Sequence, residues 1–297
     1  MSKYTALIQT LRVPFLVLTP ICVFLGVSLV VYSGGSVDSR LLLLVLTAAI
    51  CAHISVNTLN EYMDFNSGLD LLTNKTAFSG GSGALPKYPE MKKVVLAIGI
   101  VSLLVTVAIG LYFISRFGLS ILPLGVLGVF LIVSYTGWIN KYPLLCLIAP
   151  GLGFGFLFVI GSQYVLTGSY LSLSWQLAII PFALVNNLLL LNQYPDCEAD
   201  KTAGRNHFPI AFGVTKSNVI YGLFVGLAIV VLLTLVLLNY LPILSLVALL
   251  PLPLAFYALS GAIKHGKNIG KHPRYLASNV LVALTTPLLL AVSIVFW

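Results

Sequence analysis

Apolar runs of about 20 residues recur from one end of this chain to the other, and that repetition leaves few folds open to it. In lipid a backbone must satisfy its own polar groups, so runs of this kind become transmembrane helices. Hydrophobic residues make up 59% of the 297 residues and charged residues only 8%, too apolar for the surface of a water-soluble domain. Nine spans are predicted, near 11–32, 41–63, 92–114, 119–137, 143–166, 174–194, 216–239, 242–263 and 275–296. They specify an all-α integral membrane bundle, a single domain over residues 1–297, with residues 1–10 as an interfacial lead-in. Turn chemistry separates the spans, as in Ser33-Gly34-Gly35-Ser36 and Thr167-Gly168-Ser169. Only two connections are long, 64–91 and 195–215. The N-terminus starts basic and turns apolar but lacks a small-x-small cleavage site, so the first run is expected to stay as a helix. Cys22, Cys51, Cys146 and Cys197 show no paired spacing and are expected to act as small packing residues.

Charge sets the expected orientation. With nine spans, alternate connections share a side; one side collects fourteen of the sixteen Lys and Arg residues, the other only Arg40 and Arg116. Loops rich in Lys and Arg stay cytoplasmic, so the N-terminus and both long loops are expected to face the cytoplasm. The net charge of +8 is spread through short juxtamembrane loops, which argues against a nucleic-acid-binding surface.

The chain has eight acidic residues, and six of them gather at two points. Glu61, Asp64 and Asp70 follow the second span; Asp196, Glu198 and Asp200 follow the sixth. The segments Asn60-Glu61-Tyr62-Met63-Asp64 and Asn192-Gln193-Tyr194-Pro195-Asp196 both read N-[E/Q]-Y-x-D. Carboxylates at membrane depth are costly, and their presence points to function. Asn60 and Asp64 are four apart and share a helix face, as do Asp196 and Asp200. Mg²⁺ is usually held by one or two carboxylates together with substrate phosphate oxygens. Two such helix ends facing each other can hold two Mg²⁺ ions on one diphosphate, so Asn60, Asp64, Asp196 and Asp200 are the candidate metal-ligating and catalytic residues. Lys75, Lys201 and Arg205 follow the clusters and are candidates to bind a leaving diphosphate. The stretch Ser79-Gly80-Gly81-Ser82-Gly83 can turn backbone N–H groups toward the same anion.

One such segment alone also reads as a helix cap, with Gly68 as terminator. Two at the same spacing on one membrane side are better explained as a site. Asp70 can join it only if the helix ends near Gly68. Glu61 and Glu198 fall off the ligand faces and are expected either in solvent or behind the ligands. His53, two turns below Asn60, reads as an interhelical hydrogen-bonding residue. His207 is a candidate for diphosphate contact, and His265 and His272 read as solvated. Asn186 and Asn187 read either as interhelical bonds or as part of an acceptor cavity.

Taken together, these residues resemble the UbiA superfamily of intramembrane prenyltransferases. The likeness rests on Asn60-Glu61-Tyr62-Met63-Asp64-Phe65-Asn66-Ser67-Gly68-Leu69-Asp70 and on Asp196-Cys197-Glu198-Ala199-Asp200, followed by Lys201-Thr202-Ala203-Gly204-Arg205. Within the superfamily the chain is most similar to the 1,4-dihydroxy-2-naphthoate polyprenyltransferases of menaquinone synthesis. That narrower likeness rests on Phe78–Pro86, Tyr135-Thr136-Gly137, Gly151-Leu152-Gly153 and Tyr164–Gly168, and the whole runs over residues 10–215. The resemblance implies nine transmembrane helices and Mg²⁺-dependent transfer of a polyprenyl group from its diphosphate to an aromatic acceptor. It implies a lipid tail lying in an apolar cavity and a cap formed by residues 65–91 and 196–213 that keeps water from the allylic cation. Asp70, Asn192 and Tyr135 become candidates to support the ligands or meet the acceptor. Three residues depart from the pattern: Glu61 for an Asp, Pro195 for an Arg and Phe154 for a Glu. The last two leave room for another acceptor, such as 4-hydroxybenzoate or a different phenol. A secondary transporter is the other reading of the repeated motif. Against it, both motif helices run in one direction and both acidic clusters lie at one face rather than at the midplane.

Overall fold

The computed structural model describes residues 3–73, 75, 76 and 78–297. Met1, Ser2, Asn74 and Ala77, which belong to the expected lead-in and cap, lie outside the described residues. Among the described residues there is no strand, and nine apolar helices follow one another as the hydrophobic runs predict. They are α1 (Lys3–Tyr32), α2 (Ser39–Asn66), α3 (Pro89–Phe117), α4 (Leu119–Ser134), α5 (Pro143–Thr167), α6 (Ser172–Asn192), α7 (Phe208–Leu237), α8 (Ile243–Lys271) and α9 (Pro273–Val295). Eight are long enough to cross a membrane. The fourth is shorter than the expected 119–137: its 16 residues, three in a 3₁₀ turn and 13 in an α-helix, reach only about 24 Å. The chain then continues through turns to Lys141.

Local chemistry sets the helix ends that matter for the site. The Asp38 carboxylate accepts the backbone N–H groups of Arg40 and Leu41 at 2.8 and 3.2 Å and so caps the start of α2. At its other end α2 stops at Asn66, and Gly68 takes φ 79°, a left-handed turn that only glycine enters without strain. In α1 the break is at Arg12, a non-glycine residue at φ 54°, which separates the lead-in helix Lys3–Thr10 from the membrane portion. Gly213 (φ 82°) breaks α7 near its start, so the regular part of that helix begins close to the expected residue 216.

The bundle has a tight half and a loose half. Helix α6 is buried along most of its length and packs on α5, α7 and α9. Close approach depends on small residues, because apolar helices gain little from burial away from lipid and associate by packing. A Cβ on Gly155 would stand 2.6 Å from the Phe182 nitrogen, and one on Gly26 of α1 would stand 2.4 Å from the Val159 carbonyl oxygen of α5. Beside these contacts, α5 widens into a π-helical stretch over Leu152–Phe158. The two central asparagines bond between helices. Asn186 Oδ1 accepts the Gly151 N–H at 2.7 Å. Asn187 Nδ2 donates to the Tyr221 carbonyl at 2.9 Å, Tyr221 donates to Asn279 Oδ1 at 2.8 Å, and Asn279 donates back to the Asn187 carbonyl at 3.0 Å. Such bonds average about 0.6 kcal/mol each in lipid, so this triangle sets the register of α6, α7 and α9 more than it holds them together. By contrast, no residue of the α-helical part of α4 is fully buried. His265 and His272 are not simply solvated: their rings stack at 3.7 Å and lean on Tyr275. The four cysteines are free, three of them buried.

Candidate active site

Between α1, α2, α4, α5 and α6 lies a cavity of about 300 Å³. Its lower walls are apolar, with Val56, Leu131, Ile132, Phe154, Leu157 and Leu188 among them. Its upper end is polar and holds Asn60, Asp64, Asp70, Asn192, Asp196 and Asp200. Both N-[E/Q]-Y-x-D segments thus reach one chamber. The reason is local: Asn60 and Asp64 project from one face of the last turns of α2, while the chain after α6 turns into the short helix Cys197–Thr202 with Asp196 at its start. Because α2 ends before Gly68, Asp70 returns to the same chamber.

The ion pairs show which cations the site recruits. Arg205 Nη1 bonds Asp200 Oδ1 at 2.9 Å and its Nη2 bonds Asp64, so one guanidinium joins the two acidic motifs. His207 Nε2 lies 2.9 Å from the other Asp200 oxygen. Of the three basic residues expected near a diphosphate, only Arg205 lines the cavity. Lys75 is exposed and donates to the Ser82 carbonyl, and Lys201 is exposed on the short helix. Lys75 lines a neighbouring recess that shares Arg12, Ser79 and Gly81 with the cavity, and Lys201 lies outside it.

A cation that sequence reasoning treated only as a topology charge takes a place beside the motifs. Arg12 lines the cavity, pairs with Glu61 at 3.0 Å and donates to Asn60 Oδ1 at 3.2 Å. Its side chain can turn inward because α1 breaks there, a left-handed corner that hydrophobic periodicity does not encode. Glu61 is buried behind the candidate ligands rather than in solvent, whereas Glu198 is exposed and pairs with Lys267. Asn60 Nδ2 donates to Thr136 Oγ1 at 3.1 Å, tying the first motif to the turn that also brings Tyr135 to the cavity. His53 makes the expected interhelical bond, 2.8 Å to Thr19, with its ring edge on Phe154.

The fit to a hard divalent cation can be judged from the oxygens themselves. Asp70 Oδ2, Asn192 Oδ1 and Asp196 Oδ1 are buried and have no hydrogen-bond partner among the described residues. Unpaired buried oxygens are what such a cation satisfies. Among the described residues no three carboxylate, imidazole or thiolate side chains form a ready cage.

Electrostatics points the same way. Burial, then the charges of Glu61 and Asp64, pushes the Asp70 carboxyl up to about 7. Burial, then Asp200, pushes Asp196 up to about 7 against the Gly80 N–H that favours its ionised form. A raised carboxyl holds its proton in the fold and loses it in the unfolded chain, so stability falls as pH rises from about 4 to about 7. The metal-free protein is therefore expected to melt at a lower temperature at pH 8 than at pH 5.5. Mg²⁺ bound at these oxygens would displace those protons, so its affinity should rise ~10-fold per engaged carboxylate between about pH 6 and about pH 8. Calorimetric titration at the two pH values checks this; a flat affinity would mean that neither carboxylate meets the metal.

Comparisons with known proteins bear on the chain as a whole. The UbiA prenyltransferase family matches residues 19–279. A 1,4-dihydroxy-2-naphthoate octaprenyltransferase of Bacillus subtilis is 30% identical over 185 residues, 60% of this chain and 56% of that enzyme. The chain thus spans little more than half the length of that relative. UbiA prenyltransferase domain-containing protein 1 of Xenopus tropicalis is 32% identical over 270 residues, 88% of this chain and 74% of that protein. Among solved structures, a UbiA homologue from Archaeoglobus fulgidus bound to DMAPP and Mg²⁺ superposes with a TM-score of 0.65. It covers 98% of this chain and 99% of its own at 14% identity, a likeness of fold.

Proposed function

Because this chain belongs to the UbiA prenyltransferase family, we propose that it moves a polyprenyl group from a prenyl diphosphate to an aromatic acceptor, a dihydroxynaphthoate-like quinone precursor. The observation that carries the reading is the cavity: apolar along its length, with both acidic motifs, Arg12 and Arg205 at one end. An isoprenoid tail fits the first part and a diphosphate the second. Asn60, Asp64, Asp196 and Asp200 would hold Mg²⁺, with the free oxygens of Asp70 and Asn192 beside them. Bound there, Mg²⁺ supplies positive charge to the leaving diphosphate. Arg205 and Arg12 orient the anion from two sides, and the N–H groups of the glycine stretch lie at the same rim. Phe154, Leu157 and Leu188 keep water from the allylic carbon once its bond to oxygen breaks. The acceptor ring attacks that carbon, and the proton it gives up passes to the released diphosphate. Tyr135, on the cavity wall beside Cys146, is placed to face the ring.

The whole chain acts as one prenyltransferase domain whose segments 64–91 and 195–215 form the mouth of the site. We place the N-terminus and that mouth in the cytoplasm on the strength of the basic residues. Cysteine labelling should find positions next to Lys87, Lys141, Lys201 and Lys267 on the cytoplasmic side and Ser36 outside. Opposite sidedness for Lys87 and Lys201 would rule out a shared site.

A different phenol is the second reading of the acceptor, and Pro195 and Phe154 favour it, because they stand where an Arg and a Glu are common in the naphthoate enzymes. A panel assay decides. Purified protein with one long-chain prenyl diphosphate and Mg²⁺ is expected to prenylate dihydroxynaphthoate faster than 4-hydroxybenzoate. Activity on another phenol alone would move the acceptor and leave the reaction class. No transfer to any aromatic, with metal and donor saturating, would sink the reading itself.

A further inference from the structure

Glu61 is the acidic residue of the first motif whose oxygens are all engaged within the protein. Its side chain is wholly inaccessible to solvent. Oε1 accepts from Arg12 Nε and Nη2 at 3.3 and 3.0 Å and from the Ser82 backbone N–H at 2.7 Å. Oε2 accepts from the Ser82 hydroxyl at 2.6 Å. Three stretches distant in sequence meet on this carboxylate: the corner of α1, the end of α2 and the glycine stretch. The glycine stretch then reaches the second motif, where the Gly80 N–H donates to Asp196 Oδ2 at 2.9 Å. It lies directly on the acidic chamber, since a Cβ on Gly81 would stand 2.8 Å from Asp70 Oδ1.

Resting on the function proposed above, we infer that Glu61 is a positioning residue: it latches the glycine stretch across the diphosphate end of the cavity instead of binding metal. Its four accepted bonds leave it little room to serve a cation as well. Length matters here. An aspartate would fall about 1.5 Å short, and contacts of 2.6 and 2.7 Å to Ser82 have no slack of that size. The length of glutamate at this position is therefore what lets the first motif reach the loop above it.

The test uses the full chain in nanodiscs, with Glu61→Gln and the milder Ser82→Ala. Backbone amide exchange over residues 78–86 should quicken ~10-fold in Glu61→Gln and less in Ser82→Ala, as each removes acceptors or donors from the latch. Affinity for Mg²⁺ alone should stay within about threefold of wild type in both, whereas Asp196→Asn should weaken it more than ~10-fold. KM for the prenyl diphosphate should rise more than kcat falls, because loop position affects donor binding first. Unchanged exchange in both variants would overturn the latch. So would a loss of Mg²⁺ affinity in Glu61→Gln as deep as that of Asp196→Asn, which would make Glu61 a ligand. A wild-type protein that binds neither Mg²⁺ nor prenyl diphosphate would instead overturn the functional reading, and the exchange result would stand apart from it.

Discussion

Asp196→Ala is expected to lower prenyl transfer by at least ~100-fold while leaving the metal-free protein as stable as wild type, or more so. The reasoning starts from what Asp196 lacks. It receives the Gly80 N–H, but Oδ1 is buried without a partner, and its raised pKa of about 7 marks a charge the fold does not compensate. Removing such a group relieves the resting protein. In the reaction the same oxygen is the kind of ligand Mg²⁺ needs, and losing it leaves the departing diphosphate under-compensated. Asp64→Ala should lose as much activity without the gain in stability, because Asp64 already pairs with Arg205. Both ligands would serve one ionisation, so the double variant should be only slightly worse than either single one. Turnover and melting temperature on the same purified preparations check the pattern. Near wild-type turnover in either single variant would remove these residues from the metal site.

Arg205→Met should have the opposite signature: a large loss of metal-free stability that Mg²⁺ partly restores. Arg205 is the shared partner of Asp64 and Asp200, all three side chains largely buried. Taking one member from a buried ion-pair network typically costs ~3–5 kcal/mol, because charges are left uncompensated. Mg²⁺ can supply the missing positive charge, so its stabilising effect should be greater in the variant than in wild type. Affinity for prenyl diphosphate should fall even with metal present, since the guanidinium lines the chamber proposed for the anion. Equal Mg²⁺ stabilisation in both proteins would show that Arg205 and the metal do not compensate the same carboxylates.

The architecture was largely legible in the sequence, because in lipid a single rule connects apolar length to helix. The positions of nine runs, and the placing of acidic residues after the second and sixth, could be read directly. The site was legible in part, and the misses have physical causes. Asp70 reaches the chamber because Gly68 turns the chain, which the glycine signalled. Arg12 gave no such signal: its inward turn depends on a left-handed arginine that no periodicity predicts. Lys75 and Lys201 stand close to the motifs in sequence, yet the direction of a loop side chain depends on the path of the loop, which composition does not report. Helical phase puts Glu61 off the face of Asn60 and Asp64, but what it touches, Ser82, lies 21 residues away in a connection without helical phase.

The wide stretch Leu152–Phe158 in α5 works as a phase adjuster. A π-helical turn takes up more residues than an α-helical one, so the two ends of α5 are rotated relative to where an unbroken helix would leave them. At one end Gly151 fits against Asn186 of α6; at the other Ser162 meets the backbone of α1 at Val23. Between them Phe154 and Leu157 face the cavity. Deleting one residue here should collapse the wide turn to ordinary α-helix, because its seven residues turn through about the same angle as about six in α-helix. An insertion would instead turn everything beyond it by about 100°, taking Ser162 away from α1 or the glycine away from α6. The segment thus already carries its one spare residue, and a further insertion would break the seam between two helices.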